Sequence, residues 1–284
     1  MLFRSETDGK RVSFALNEFE LADVECHVFN DERDMLRSFV EYWELHYPDI
    51  ITGWNIRFFD IPYIYGRIVK LFDEKMAKRL SPLKRIQEKI VNRKGKDHTV
   101  FDLLGVATLD YYELYIKFTY TNRESYSLNH IANVELGEKK LDYTEYDSIR
   151  EFYTNDFQKF MEYNSHDVTL VQKLDKKLKL LELVVALAYN AKVNFTDTFS
   201  QVKTWDCIIY HHLADKKIAI PLKPEAEEKG EQFEGAYVKD PQVGMHQWIV
   251  SFDLDSLYPH LIMQYNISPE TKDKLGKRNT LSPD

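Results

Sequence analysis

An α/β fold is the class this sequence predicts, and three observations predict it. Short apolar or β-branched runs at Val12–Leu16, Val24–Phe29, Ile50–Ile51 and Val100–Leu109 read as strands. Stretches with apolar residues at helical spacing alternate with them. The third observation is local: Ile50–Ile51 leads through Gly53 and a short turn to Asp60, directly before Ile61–Pro62 and a helical run. An Asp at the N-cap followed by Pro near the first helical position is a helix-start signal. One carboxylate therefore sits where a strand hands over to a helix, the place where open α/β sheets put their chemistry.

Composition bounds the class. With 284 residues, 44% of them hydrophobic, the chain has room for one large domain or two modest ones. No apolar run is long enough to span a bilayer, and no basic-plus-apolar leader follows Met1. Cys26 and Cys207 lie far apart without metal spacing, which points to a reducing compartment. A net charge of -8 speaks weakly against a nucleic-acid binder. Carboxylates that hold divalent metals also make a chain acidic, so the charge alone settles little.

The remaining elements follow in order. Asn30 or Asp31 caps a helix over Glu32–Tyr47 that Pro48 ends, with Leu36, Phe39, Val40, Trp43 and Tyr47 as its core face. The helix after Asp60 runs from Tyr63 to Phe72. Nine Lys and Arg face only Glu88 between residues 75 and 96, either a phosphate-contacting patch or a solvated helix and loop. Asp110-Tyr111-Tyr112 precedes a helix-like Glu113–Phe118, and Ser127 caps another short helix. A long helix from about Asn155, extending to Ala191 with a bend, carries Tyr163 and Asp167 four residues apart on one face. Trp205, Ile208 and Ile209 are core candidates, and His211–His212 read as structural or surface groups. Pro221–Gln232 is a charged linker. A turn and strand at Phe233–Val238 and a second strand at Trp248–Asp253 follow it.

Three of these stretches, taken together, resemble family B replicative DNA polymerases, most closely those of T-even-type bacteriophages. Thr52-Gly53-Trp54-Asn55 through Phe59-Asp60-Ile61-Pro62-Tyr63 is similar to the second exonuclease motif. Tyr163-Asn164-Ser165-His166-Asp167-Val168 is similar to the third, and Ser251-Phe252-Asp253-Leu254-Asp255-Ser256-Leu257-Tyr258-Pro259 to polymerase motif A. Phe233–Val238 resembles the turn between exonuclease and polymerase regions, and Asn266–Thr271 matches the phage type. Each motif is weak alone; their order is the strong signal.

The resemblance implies a ribonuclease H-like 3′–5′ exonuclease domain, incomplete at its N-terminus, over residues 1–190. A connecting segment over 191–232 and the first strands of a polymerase palm over 233–284 would follow. It implies two-metal phosphodiester hydrolysis with Mg²⁺ or Mn²⁺, two ions per site. Asp60 and Asp167 would hold metal and Tyr163 would orient water. At the palm, Asp253 would ligate metal. Leu254, Ser256, Leu257 and Tyr258 would bind nucleotide, and Phe233, Gly235 and Tyr237 would contact DNA. The implied partners are primer-template DNA, single-stranded 3′ ends, deoxynucleoside triphosphates, the remaining polymerase chain or chains and a sliding clamp. The implied location is the bacterial host cytoplasm.

The departures are as informative. Asp23-Val24-Glu25 lies too close upstream of Asp60 to be the family's first exonuclease motif, and reads instead as a solvated edge. No Asp-Thr-Asp turn follows motif A, and His260 stands where the family usually has Ser. The sequence thus reads as an internal part of a polymerase with two of four exonuclease carboxylates. The alternatives are a non-catalytic DNA-binding scaffold subunit and one chain of a split polymerase.

Overall fold

The computed structural model describes residues 2–5, 9–93, 95–140, 145–220, 237–268 and 271. The chain divides into two units, Met1–Leu222 and Lys223–Asp284.

The first unit opens with β1 (Leu2–Arg4), β2 (Arg11–Ala15) and β3 (Glu25–Val28). β2 pairs antiparallel with β1 and parallel with β3. A parallel pair needs a crossover, and every parallel pair here belongs to the helix-rich unit, as the α/β class requires. Asp23 adopts a left-handed φ of 58° in the turn before β3. It and Glu25 therefore do not share a strand face, in keeping with a solvated edge.

Helix α1 (Glu32–Leu45) starts where Asp31 accepts the Arg33 N–H, and buries Leu36, Phe39 and Val40. It leads to β4 (Ile50–Ile51), α2 (Asp60–Leu71) and α3 (Glu74–Lys78). The basic stretch begins on α3 and the loop after it, with Lys75, Lys78, Arg79, Lys84 and Arg85, and then enters a long hairpin, β5 (Ile86–Arg93) and β6 (Lys96–Leu103), that the sequence does not predict. The predicted strand Val100–Leu109 is broken: a turn through Gly105 separates β6 from β7 (Ala107–Thr108). Gly105 has φ +95°, and a Cβ there would lie 2.6 Å from Pro82 Cγ, so the chain reverses only because this residue has no side chain. β7 pairs in parallel with β4.

The remainder of the unit is helical. It comprises α4 (Tyr111–Phe118), α5 (Leu128–Leu136), α6 (Ile149–Asn155), α7 (Phe157–Leu178), α8 (Leu180–Ala191), a 3₁₀ turn (Phe195–Phe199) and α9 (Gln201–Asp215). The predicted cap at Ser127 is present, accepting the His130 N–H. The predicted bend in the long helix falls at Lys179, which is left-handed and separates α7 from α8. One core joins β2, α1, α2, α3 and β6 around Phe14, Phe39 and Ile68. A second joins α4, α5, α7 and α8 around Tyr111, Ile131, Leu170 and Val184. Trp205, Ile208 and Ile209, expected in a core, lie exposed on α9, which buries no residue. Val202, Trp205 and Ile209 follow helical spacing along one face of α9, and all three are exposed.

In the second unit the described residues contain one helix, α10 (Leu257–Gln264), and no strand. The expected first palm strand Trp248–Asp253 is therefore not formed, with Trp248 97% and Phe252 90% exposed. A strand exists through its ladder, and no described segment pairs with this one.

Glu44 ties α1 to the base of the hairpin. Its carboxylate takes ion pairs from Arg79 and Lys84. The hydrogen bond from Arg79, foremost, holds its pKa at about 2 against an ordinary 4.5. A depressed carboxylate stabilises the fold fully above the unfolded value and loses that contribution as pH falls towards the folded one. Glu44→Gln is therefore expected to cost about 2 kcal/mol at pH 7. It should also flatten the loss of stability between about pH 4.5 and 2, measured by urea denaturation across that range.

Candidate active site

Two strand-to-helix turns lie side by side at the carboxyl ends of β4 and β7. Leu109 N–H donates to Ile51 O (2.9 Å), Tyr111 N–H to Gly53 O (2.8 Å) and Thr52 Oγ1 to Leu109 O (2.7 Å). These bonds continue the two-residue ladder into the turns, so α2 and α4 start from the same edge. A Cβ on Gly53 would lie 2.5 Å from Ile56 Cγ2, which requires Gly for the first turn to close.

Asp60 is the first residue of α2 and not its N-cap; that position is Phe59, with no side-chain capping bond. The carboxyl of Asp60 is therefore not occupied in capping. The residue is exposed at the surface, yet the surrounding protein desolvates its carboxyl enough to raise the pKa. Phe59 and Tyr63 flank it, 65% and 61% exposed, with parallel rings 6.3 Å apart.

The turn carrying Asp60 is held from below by Asp110, a residue the sequence reading passed over. Asp110 is fully buried and caps α4. Its carboxylate accepts the N–H groups of Asn55 (2.8 Å), Arg57 (2.9 Å) and Tyr112 (3.0 Å). Burial lifts its pKa to about 6 although these N–H groups pull it down. The signal was available: an Asp one residue before a helical run is an N-cap pattern.

Asp167 and Tyr163 share a face of α7, as their spacing predicts, and Lys140 joins them. Lys140 Nζ donates to Asp167 Oδ2 (2.5 Å) and to the Tyr163 hydroxyl (3.1 Å). Asp167 Oδ1 is buried with no hydrogen-bond partner. Burial raises the Asp167 pKa in spite of Lys140. Burial lowers Lys140, but Asp167 and Tyr163 outweigh it and the net direction is upward. Lys140 is itself held: its N–H donates to Asn129 Oδ1 (2.9 Å), and His166 Nε2 meets Lys139 O (3.1 Å). Nothing in the sequence marks Lys140, which lies in a polar run beside Lys139.

The buried, unpartnered Asp167 oxygen is the donor type that a hard divalent cation takes. Among the described residues no third His, Cys, Asp or Glu completes a ligand group. The residues present thus fit part of a metal site. Asp60 belongs to the first core's helices and Asp167 to the second's, and no hydrogen bond joins them among the described residues.

In the second unit, Asp253 and Leu254 lie in an irregular run, followed by Ser256 with φ 53° and the start of α10 at Leu257 and Tyr258. Leu257 N–H donates to Leu254 O (3.3 Å), which closes the turn before the helix. Tyr258 and Tyr237 are exposed. Phe233 and Gly235 lie outside the described residues.

The family model for the exonuclease domain of family B DNA polymerases matches residues 4–131, and the family B DNA polymerase model matches residues 193–283. The chain belongs to family B of the DNA polymerases. It is 38% identical to the DNA-directed DNA polymerase of Escherichia phage RB69 over 86% of its length and 26% of that protein. It is 39% identical to the enzyme of Enterobacteria phage T4, over 86% of its length and 27% of that protein. DNA polymerase 1 of Sulfurisphaera ohwakuensis is 32% identical, over 90% of this chain and 30% of the relative. The chain thus spans about a quarter of the phage relatives' length. No helix among the described residues is long and apolar enough to cross a membrane.

The geometry around Asp110 predicts a titration. The backbone amide protons of Asn55 and Arg57 should shift together with a midpoint near pH 6 in an NMR titration, as Asp110 ionises. Asp110→Asn should abolish that midpoint.

Proposed function

We propose that this chain provides the 3′–5′ proofreading site and the first part of the palm of a DNA-directed DNA polymerase, on a ribonuclease H-like domain. The carrying observation is the buried Asp167 oxygen left without a partner beside Lys140 and Tyr163. A purely structural ion pair would be expected to satisfy both carboxylate oxygens.

In this reading Asp167 Oδ1 and Asp60 hold divalent cations, Mg²⁺ or Mn²⁺. When bound, these ions supply Lewis acidity and neutralise the charge of the phosphodiester under attack. Lys140 fixes Asp167 through its other oxygen and holds the Tyr163 hydroxyl in place. Tyr163 then orients the attacking water, whose oxygen bonds to the terminal phosphorus as the bond to the preceding 3′ oxygen breaks; that oxygen takes up the proton, and the terminal nucleotide leaves as its 5′-phosphate. The exposed rings of Phe59 and Tyr63 offer stacking faces to unpaired bases beside Asp60. In the palm, Asp253 ligates metal. The first turn of α10, after Ser256, offers its backbone N–H groups to the triphosphate, and the Leu257 N–H would join them by leaving Leu254 O. Tyr258 packs under the sugar. DNA, deoxynucleoside triphosphates, further polymerase chain and a sliding clamp are its partners, in the host cytoplasm.

With no third ligand among the described residues, the metal site of this chain should be weak. A 5′-labelled single-stranded oligodeoxynucleotide should be trimmed from its 3′ end slowly or not at all in Mg²⁺. Mn²⁺ at ten times its Kd should nonetheless stabilise the chain by about 1.4 kcal/mol, read as a rise in Tm. Asp167→Asn should remove that rise. A scaffold that binds DNA without metal would show no such rise in the unsubstituted chain.

A further inference from the structure

The hairpin reaches the turn that carries Asp60 through Arg93, at the end of β5, and through His98 on β6, whose ring meets that of Phe58 at 5.6 Å. Arg93 donates from its guanidinium to the side-chain oxygen of Asn55 (3.1 Å). Its guanidinium carbon lies 4.7 Å from the Phe58 ring centroid and 4.3 Å from that of Tyr112. Asn55 is left-handed, φ 66°, five residues ahead of Asp60, and its own N–H is tied to Asp110. Tyr112 is tied to the same carboxylate through its N–H. The contacts close a ring: Asp110, Asn55, Arg93, Tyr112 and back to Asp110.

A guanidinium is a donor only, so Asn55 can offer it nothing but the amide oxygen. That decides which way the amide faces. The Asn55 Nδ2 group has no partner among the described residues, so its two N–H bonds remain available as donors at the rim beside Asp60. Phosphate oxygens and base carbonyls are acceptors, and an amide facing them with its oxygen would repel them. The planar guanidinium, held between two aromatic rings, is suited to this task. A lysine ammonium would give the charge without the stacked plane.

We propose that Arg93 is a positioning residue for strand capture: it orients the Asn55 amide so that its N–H groups meet an acceptor-rich single-stranded DNA end beside Asp60. The hairpin and the turn bearing Asp60 are thereby one unit for substrate binding. This rests on the DNA-processing reading of the site.

The test is a double-mutant cycle on single-stranded DNA binding by the full chain. The probe is a 5′-fluorescein oligodeoxythymidylate, read by anisotropy at constant salt. The expected result is that Asn55→Ala and Arg93→Met each weaken Kd about three- to ten-fold, and that the double variant binds no worse than the weaker single. Arg93→Lys should recover part of the loss. It also carries the test, in its own cycle with Asn55→Ala, if thermal melting shows Arg93→Met to be unfolded. Multiplying effects would mean that Arg93 meets DNA independently, and an unchanged Kd in Arg93→Met would mean that its tie to Asn55 is packing alone; either overturns the inference. If the unsubstituted chain binds no DNA, the reading of the site falls and the inference with it. That failure is distinct, because it appears before any substitution is made.

Discussion

A carboxylate with no exposed surface holds the Asp60 half of the candidate site together. Asp110 gathers the N–H groups of Asn55, Arg57 and Tyr112, which come from two turns fifty residues apart in sequence. Without it, the ladder of β4 and β7 and its continuation to Gly53 and Tyr111 would leave the N–H groups of Asn55 and Arg57 without this acceptor. With it, the start of α2 and the start of α4 are bound to one point. Such a group is costly to bury, and its raised pKa is the measure of that cost. The three N–H bonds offset part of it and in return give the turn a single geometry.

The second half of the site has a different logic. Asp110 is satisfied by backbone groups, whereas Asp167 is satisfied on one oxygen only, by Lys140. A buried acceptor without a protein partner is completed by a water, an ion or a ligand, or is left as strain. Tyr163 lies within reach of the same lysine. Three side chains from a loop and one helix turn thus form a polar group in which one valence is left open. The basic hairpin, for its part, is neither a free arm nor a solvated helix, since Arg93 joins its β5 end to the turn beside Asp60.

The second unit shows the limit of local preference. Trp248–Asp253 has the composition of a strand, with β-branched and aromatic residues in succession. Strand propensity measures fit to a pleated, half-buried surface, and none is provided among the described residues. α10 does form beside it, because a helix satisfies its hydrogen bonds within itself.

Sequence alone determined the elements whose causes are local, and the family. The helix starts at Asp31 and Ser127, the common face of Tyr163 and Asp167, and the handover from β4 to α2 all follow from spacings of a few residues. The order of three short motifs likewise identified a family B polymerase, which the comparisons show. Tertiary structure decided what depends on meetings across the chain. It turned the later half of the basic run into a hairpin, moved the cap of α2 from Asp60 to Phe59, and left Trp205 and Ile209 exposed. It also brought Lys140 to Asp167 and Asp110 to Asn55. No periodicity encodes such contacts, because they arise from packing between segments that are 27 and 55 residues apart.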